Sequence, residues 1–362
     1  MAPGPLPSTI PPPLAGPLPR VPYKRIATEE AFGTVEIFDR YKQMLSAGGD
    51  LDPGFKSAMG YFLLHPSPRA RTIAERLADL DARRIGDMDA AGIDLQLLSL
   101  TSPGVQVFDR ETATTLTVDA NDQLAAAIAR HPTRFAGLTA IAPQDPAHAA
   151  REIARGMTTL GLKGVIVNSH TQGEYLDDPK FWPIFEAAEA LDAPIYLHPN
   201  TPSRAMIGPM LERGLDVAIF GFQVETSLHA LSLIIAGVFD RFPKLTLVLG
   251  HLGEGLPYWM SRIDHMHGAS VGSGRYANWK VLQRRPSDYL RENVYVTTSG
   301  MPWAPTIAYA QAVLGVDRVM YAMDYPYQFV PDEVKVTDEL PISDTDRKKL
   351  YQDNVERVFK LG

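Results

Sequence analysis

The chain has 362 residues, a formal net charge of −7 and no cysteine. That length suits one large domain with a generous core, or two small ones. The missing cysteines exclude disulfides, thiolate metal ligands and a Cys nucleophile, and fit a reducing cytoplasm.

In chain order, residues 1–23 (MAPGPLPSTIPPPLAGPLPRVPY) are dominated by proline. They lack the basic start and apolar core of a signal peptide and read as a flexible leader, or as an arm lying on a neighbouring subunit. Residues 24–362 read as a single domain. A first strand is expected in KRIATE (24–29), then a long loop over 31–71, then a helix at 72–91. Strands follow at LQLLSL (95–100), FAGLTAIA (135–142), LKGVIVN (162–168) and PIYLHP (194–199), the last preceded by a helix in FWPIFEAAEALD. A long apolar helix is expected over 222–242, then strands at LTLVLGH (245–251) and NVYVTTS (293–299). Next come a helix in APTIAYAQAVLG and a strand at RVMYAMD (318–324). The chain closes on an amphipathic segment, SDTDRKKLYQDNVERVF, that opens with a capping Ser343 or Asp344. No basic stripe supports nucleic-acid binding, and no apolar run reaches the roughly 18 residues that span a membrane.

Eight strands, most of them apolar on both faces and separated by helices, predict an α/β fold of the (β/α)8 TIM-barrel type with a long loop insertion after strand 1. The rival, a doubly wound sheet, would place a Gly-rich phosphate turn after its first strand, where this chain has Glu29-Glu30. A barrel collects its chemistry at the C-terminal ends of its strands. Those ends carry Glu29 and Glu30, Thr101 and Ser102, Asn168 with His170 close by, His198, His251, Ser299 and Asp324. Carboxylates and imidazoles on one rim suit Zn²⁺ or Mn²⁺. Each residue also has a plainer reading: a strand-end histidine is commonly a hydrogen-bonded structural group, and Asp324 before Tyr-Pro suits a turn. Glu29 and Glu30 must point to opposite sides of their strand, and alternation leaves open which faces inward.

The blocks RIATEEAF, DMDAAGID, LTSPGVQ, APQDP, NSHTQG, IFGFQVET, GHLGEGLPYW and RVMYAMDYPYQ, in this order, resemble the amidohydrolase superfamily. Within it they resemble the metal-dependent, non-oxidative decarboxylases of aromatic acids, a branch that includes the γ-resorcylate and 5-carboxyvanillate decarboxylases. Two departures from the wider superfamily point towards this branch. The His-x-His pair at the end of the first strand is replaced by Glu29-Glu30-Ala31, and no lysine stands where a second metal would be bridged. The resemblance implies one divalent ion, Mn²⁺ favoured and Zn²⁺ possible, held by Glu29, His198 and Asp324. It implies His251 and Glu254 as a polar catalytic pair beside Asp324. Arg69, Arg262 and Tyr327 are the implied substrate contacts.

Phe222 reads either as a contact to the substrate ring or as core. The arginines read otherwise as surface ion-pair partners, and Tyr327 as a packed rim aromatic. The expected reaction is loss of CO₂ from an ortho-hydroxy aromatic acid, 5-carboxyvanillate to vanillate, with ring-carbon protonation by Asp324. The alternative is a mononuclear metal-dependent hydrolase of an amide, lactone or ring-cleavage product. A small aromatic acid is the expected partner, with no nucleic acid and no membrane. The resemblance also implies a homo-oligomer, dimer or tetramer.

Overall fold

The computed structural model describes residues 21–277 and 279–362. Most of the expected leader lies outside the described residues; at its end Tyr23 already stacks on Tyr351, with ring centroids 5.8 Å apart.

Among the described residues nine strands form: β1 (Ile26–Phe32), β2 (Leu95–Leu100), β3 (Phe135–Gly137), β4 (Thr139–Ala140), β5 (Val165–Asn168), β6 (Ile195–His198), β7 (Leu247–Leu249), β8 (Val294–Thr297) and β9 (Val319–Met320). They build two parallel sheets, in the orders β1-β2-β3 and β4-β5-β6-β7-β8-β9. All eight expected strands are present, the third in two pieces. The break falls at Leu138, whose N–H still bonds Leu98 O at 2.9 Å, whereas Thr139 N–H turns to Gly164 O at 2.8 Å. One residue therefore hands the chain from one sheet to the other. Further hydrogen bonds join the opposite edges, Thr28 N–H to Tyr321 O (3.1 Å) and Ala31 N–H to Tyr325 O (2.7 Å).

The strands read apolar throughout because both faces are covered. Every residue of β1, β5, β6 and β7 is buried. Burial of each large aliphatic side chain contributes about 1.5–3 kcal/mol. Parallel pairing leaves all C-terminal strand ends on one side, and the polar strand-end residues emerge there.

Three expectations change. The segment over 31–71, expected as a loop, is largely helical, with helices at Val35–Ala47, Pro53–Leu64 and Pro68–Ala78. Its start signals are local: Thr34 Oγ1 accepts Ile37 N–H at 3.3 Å, Asp52 Oδ1 accepts Phe55 N–H at 2.9 Å, and prolines occupy the first turns of the second and third helices. The single helix expected over 72–91 is interrupted between Ala78 and Ala82. There Asp79 Oδ1 accepts the N–H groups of Asp81 and Arg84, both at 3.0 Å, which draws the backbone out of the helical ladder. The helix expected over 222–242 is Gly221–Ile235 followed by the short Val238–Arg241, separated at Gly237 with φ +75°. The final segment starts as expected, with Ser343 Oγ accepting Asp346 N–H at 3.1 Å, and carries a π turn at Lys349–Asp353. Among the described residues no helix is long and apolar enough to cross a membrane.

Candidate active site

A cavity of about 790 Å³ opens at the C-terminal strand ends. His198, His251 and Asp324 line it, with Phe55, Met59 and Phe62 from the helix Pro53–Leu64 as part of its apolar wall. This volume, apolar with a few convergent polar groups, suits a small organic ligand.

Glu29 stands in β1 beneath the cavity, 2 % exposed. The β1–β2 register shifts between Ala27 and Glu30, so a local irregularity sets where Glu29 points. Its two oxygens have opposite surroundings. Oε2 accepts the Tyr196 hydroxyl, the Ser299 hydroxyl at 2.5 Å and the Thr297 hydroxyl at 3.1 Å. Among the described residues Oε1 has no hydrogen-bond partner, yet it lies 3.4 Å from His198 Nε2 and 3.6 Å from His251 Nε2. Burial works against the charged carboxylate. The two imidazoles and the hydroxyl donors outweigh it and hold Glu29 below the usual carboxylate range.

The histidines differ in what stands behind them. His198 donates Nδ1–H to the Pro199 carbonyl at 2.9 Å, which fixes the tautomer and leaves the Nε2 lone pair facing Glu29. Burial pushes this imidazole down towards its neutral form. His251 instead bonds through Nδ1 to Glu254 Oε1 at 2.7 Å. Burial opposes its charge, but Glu254, Glu29 and Asp324 prevail and raise it to about 10. Glu254 is itself buried, which pushes its carboxyl upward.

Asp324 follows β9 with a left-handed φ of +68°, and its Oδ2 lies 4.0 Å from His251 Nε2. Burial, with Glu29 and Glu254 nearby, raises its carboxyl to about 8. Left-handed backbone also runs through His251, Leu252, Gly253, Glu254 and Gly255. Such strain in non-glycine residues costs about 1–3 kcal/mol each and concentrates at functional sites.

Donor atoms of Glu29, His251 and Asp324 all lie within 4.8 Å of one another. The expected ligand set had His198 in place of His251. The geometry brings both imidazoles to Glu29 Oε1, so four donors converge where three were expected. An orphaned buried carboxylate oxygen facing the His198 Nε2 lone pair, in an O/N donor set, fits a divalent cation.

The expected substrate contacts divide. Phe222 and Tyr327 line the cavity; Tyr327 shares a hydrogen bond with Thr101 Oγ1 at 2.5 Å and packs edge-on against Phe62. Arg69 stands exposed at the rim and donates to Tyr327 O at 2.9 Å. Arg262 does not join them. It is exposed on the helix Leu256–Gly272, outside the cavity lining, because that helix turns this face away from the strand ends. His170 is satisfied structurally, donating to Thr201 O and accepting Gly173 N–H, both at 3.0 Å. The sequence reading missed Tyr196 within β6 and Thr297 at the end of β8, whose hydroxyls bond Glu29, and Asn200, which lines the cavity just past β6. Nothing about a hydroxyl inside a strand distinguishes a carboxylate-orienting role from packing.

The sequence family described as Amidohydrolase matches residues 62–361. The γ-resorcylate decarboxylase of Polaromonas sp. is 37 % identical over 355 residues, covering 93 % of this chain and 99 % of that protein. The crystal structure of 5-carboxyvanillate decarboxylase from Novosphingobium aromaticivorans, complexed with manganese and 4-hydroxy-3-methoxy-5-nitrobenzoic acid, is 53 % identical. It superposes with a TM-score of 0.92 and covers 94 % of this chain and 97 % of that one. The 5-carboxyvanillate decarboxylase of Sphingomonas paucimobilis is 40 % identical, with a TM-score of 0.89 and coverage of 94 % and 100 %. The strand-end cluster of Glu29, His198, His251 and Asp324 thus sits in a chain that belongs to the amidohydrolase family.

Proposed function

We propose that this chain is a metal-dependent, non-oxidative decarboxylase of an ortho-hydroxy aromatic acid, converting 5-carboxyvanillate to vanillate and CO₂. The observation that carries the reading is the unshared Glu29 Oε1, buried beneath an aromatic-walled cavity and facing the Nε2 atoms of His198 and His251. The likeness to relatives named for aromatic-acid decarboxylation supports the reaction class, and the manganese complex among them supports Mn²⁺ over Zn²⁺.

Glu29, His198 and Asp324 would hold the ion; burial keeps the His198 imidazole neutral, and the Pro199 carbonyl takes its Nδ1–H and leaves Nε2 free. When bound, the ion supplies chelation of neighbouring phenolate and carboxylate oxygens and Lewis acidity. Direct loss of CO₂ would leave a strongly basic aryl anion, so protonation must come first. Asp324 transfers its carboxyl proton to the ring carbon that bears the carboxylate, while the ortho phenolate lone pair moves into the ring. The carbon–carbon bond then breaks, CO₂ leaves, and the bond's electron pair restores the aromatic ring and the phenolate. His251, kept protonated by Glu254, returns a proton to Asp324. Tyr327 and Phe222 would wall the ring, and Arg69 would meet an anionic substituent at the rim.

Arg262, held outside the cavity by this chain, reaches substrate only if a second copy brings it there. A homo-oligomer is therefore part of the proposal, supported by the exposed Tyr258 and Trp259 on the same helix. Residues 24–362 would form one domain in which the two sheets close into a (β/α)8 barrel, a closure supported by the hydrogen bonds at both edges. The cytoplasm is the proposed location.

The test is incubation of purified, Mn²⁺-loaded protein with 5-carboxyvanillate, following vanillate by chromatography together with CO₂. Stoichiometric vanillate is expected, and Asp324→Asn should lower kcat by about 10³-fold or more. Turnover of a lactone or amide with no turnover of hydroxybenzoic acids would sink the reading.

A further inference from the structure

Glu29 and Glu30 are neighbours, but only Glu29 faces the metal-binding cluster. Glu30 is fully buried on the other side of β1 and does not line the cavity. Its Oε1 accepts Met323 N–H at 2.9 Å, and its Oε2 accepts Tyr325 N–H at 3.2 Å and Gln96 Nε2 at 3.4 Å. Residues 323 and 325 bracket Asp324, the residue in left-handed backbone. The two carboxylate oxygens therefore grip the chain on either side of Asp324.

The grip is anchored from behind. Gln96 Oε1 accepts Arg84 Nη1 at 3.2 Å, and Arg84 Nη2 donates to Ala31 O at 2.7 Å. The Arg84 guanidinium lies 4.5 Å from the centre of the Tyr325 ring. Among the described residues Glu30 makes no ion pair of its own, so it reaches Arg84 only through Gln96. Burying a carboxylate without a direct counter-charge is unfavourable unless hydrogen bonds compensate. An apolar residue would serve packing alone at lower cost. What an apolar residue lacks is two acceptors placed for the N–H groups at 323 and 325. A left-handed non-glycine residue is disfavoured relative to ordinary backbone, and these two bonds offset that.

We propose that Glu30 is a positioning residue for Asp324, clamping the backbone N–H groups of Met323 and Tyr325 so that the Asp324 carboxylate is presented to the cavity. The inference rests on the reading of Asp324 as proton donor.

The test uses Glu30→Gln, which keeps the shape but substitutes a donor for one acceptor, so that one of the two N–H groups loses its partner in either amide orientation. Amide hydrogen exchange at Met323 and Tyr325, measured on metal-free protein, should rise about tenfold or more at one of them. With Mn²⁺ and substrate, kcat should fall about 100-fold with KM held within about threefold, as expected of a displaced reacting group. A folded Glu30→Gln protein with wild-type kcat and wild-type exchange overturns the proposal, as does a loss confined to melting temperature, KM or metal affinity. If the variant does not fold, exchange on the wild-type chain decides. Protection at 323 and 325 equal to that of the β8 amides supports the clamp, and rapid exchange overturns it. Absence of decarboxylation by the wild-type protein would remove the proposed function, while the metal-free exchange comparison would still test the clamp.

Discussion

Glu29 shows how a single carboxylate is divided between fold and function. Three hydroxyls take one oxygen and leave the other free, so the side chain is locked in one rotamer before any ion arrives. Gly250 completes the arrangement, because a Cβ there would lie 2.5 Å from Glu29 Oε2. Gly250→Ala should displace the carboxylate and weaken Mn²⁺ binding by about tenfold or more, a cost of about 1.4 kcal/mol or more. Titration calorimetry would check this, and an unchanged affinity would show that the Glu29 orientation does not matter for the ion. At this scale the sequence offered Glu29, His198, His251 and Asp324 as strand-end residues, the resemblance added Glu254 beside His251, and the fold brings these side chains together. It could not say which of Glu29 and Glu30 faces the cavity, because alternation fixes relative directions only. Tyr196 and Thr297 were invisible for a related reason: inside a strand, an inward hydroxyl and an outward one read alike.

Among the elements, the strands were legible because a two-faced apolar run bounded by turn residues is a strong local signal. Helix continuity was less so. Apolar periodicity ran on through Asp79 and Gly237, where a carboxylate bonded to backbone and a positive φ interrupt the helices. A Cβ at Gly237 would meet Lys280 Cδ at 3.5 Å, an ordinary contact, so the backbone conformation alone should penalise a side chain there. Gly237→Ala is expected to cost about 1–2 kcal/mol in urea unfolding while leaving metal binding unchanged. A neutral substitution would mean that the φ value is not enforced. Of the helices between 35 and 78, Pro53–Leu64 supplies cavity wall through Phe55, Met59 and Phe62. Their caps Thr34 and Asp52 were in the sequence, but cap signals carry little weight without a strong apolar period behind them.

At the scale of the whole molecule, stability should depend on metal and on pH. The cluster holds Glu29 and Asp324 close together, and an ion that binds only the folded chain stabilises it by about 2.7 kcal/mol at 100 times its Kd. Chelation by EDTA should therefore lower the melting temperature and Mn²⁺ should restore it; no shift in either direction would argue against a site preformed in the fold. The pH response has a separate source in His229. This imidazole is fully buried, bonded to Ser169 Oγ (3.2 Å) and Leu176 N–H (3.0 Å), and burial with His170 nearby lowers it from 6.5 to about 3. Between those values the unfolded chain binds a proton that the folded chain refuses, so stability falls as pH falls. From pH 6.5 to 5 the loss is about 1.6 kcal/mol. In denaturant unfolding, the stability difference between wild type and His229→Gln should narrow by about that amount over the same range; a constant difference would place the acid sensitivity elsewhere. By itself the sequence determined the strand order, the polar residues available at the strand ends and the family, because these depend on local period and on residue identity. The tertiary structure alone decided that both imidazoles meet the same Glu29 oxygen, that Glu30 turns away to grip the backbone around Asp324, and that Arg262 stands outside the cavity. Each of those is a distance between residues far apart in the chain, set only once the strands pack side by side.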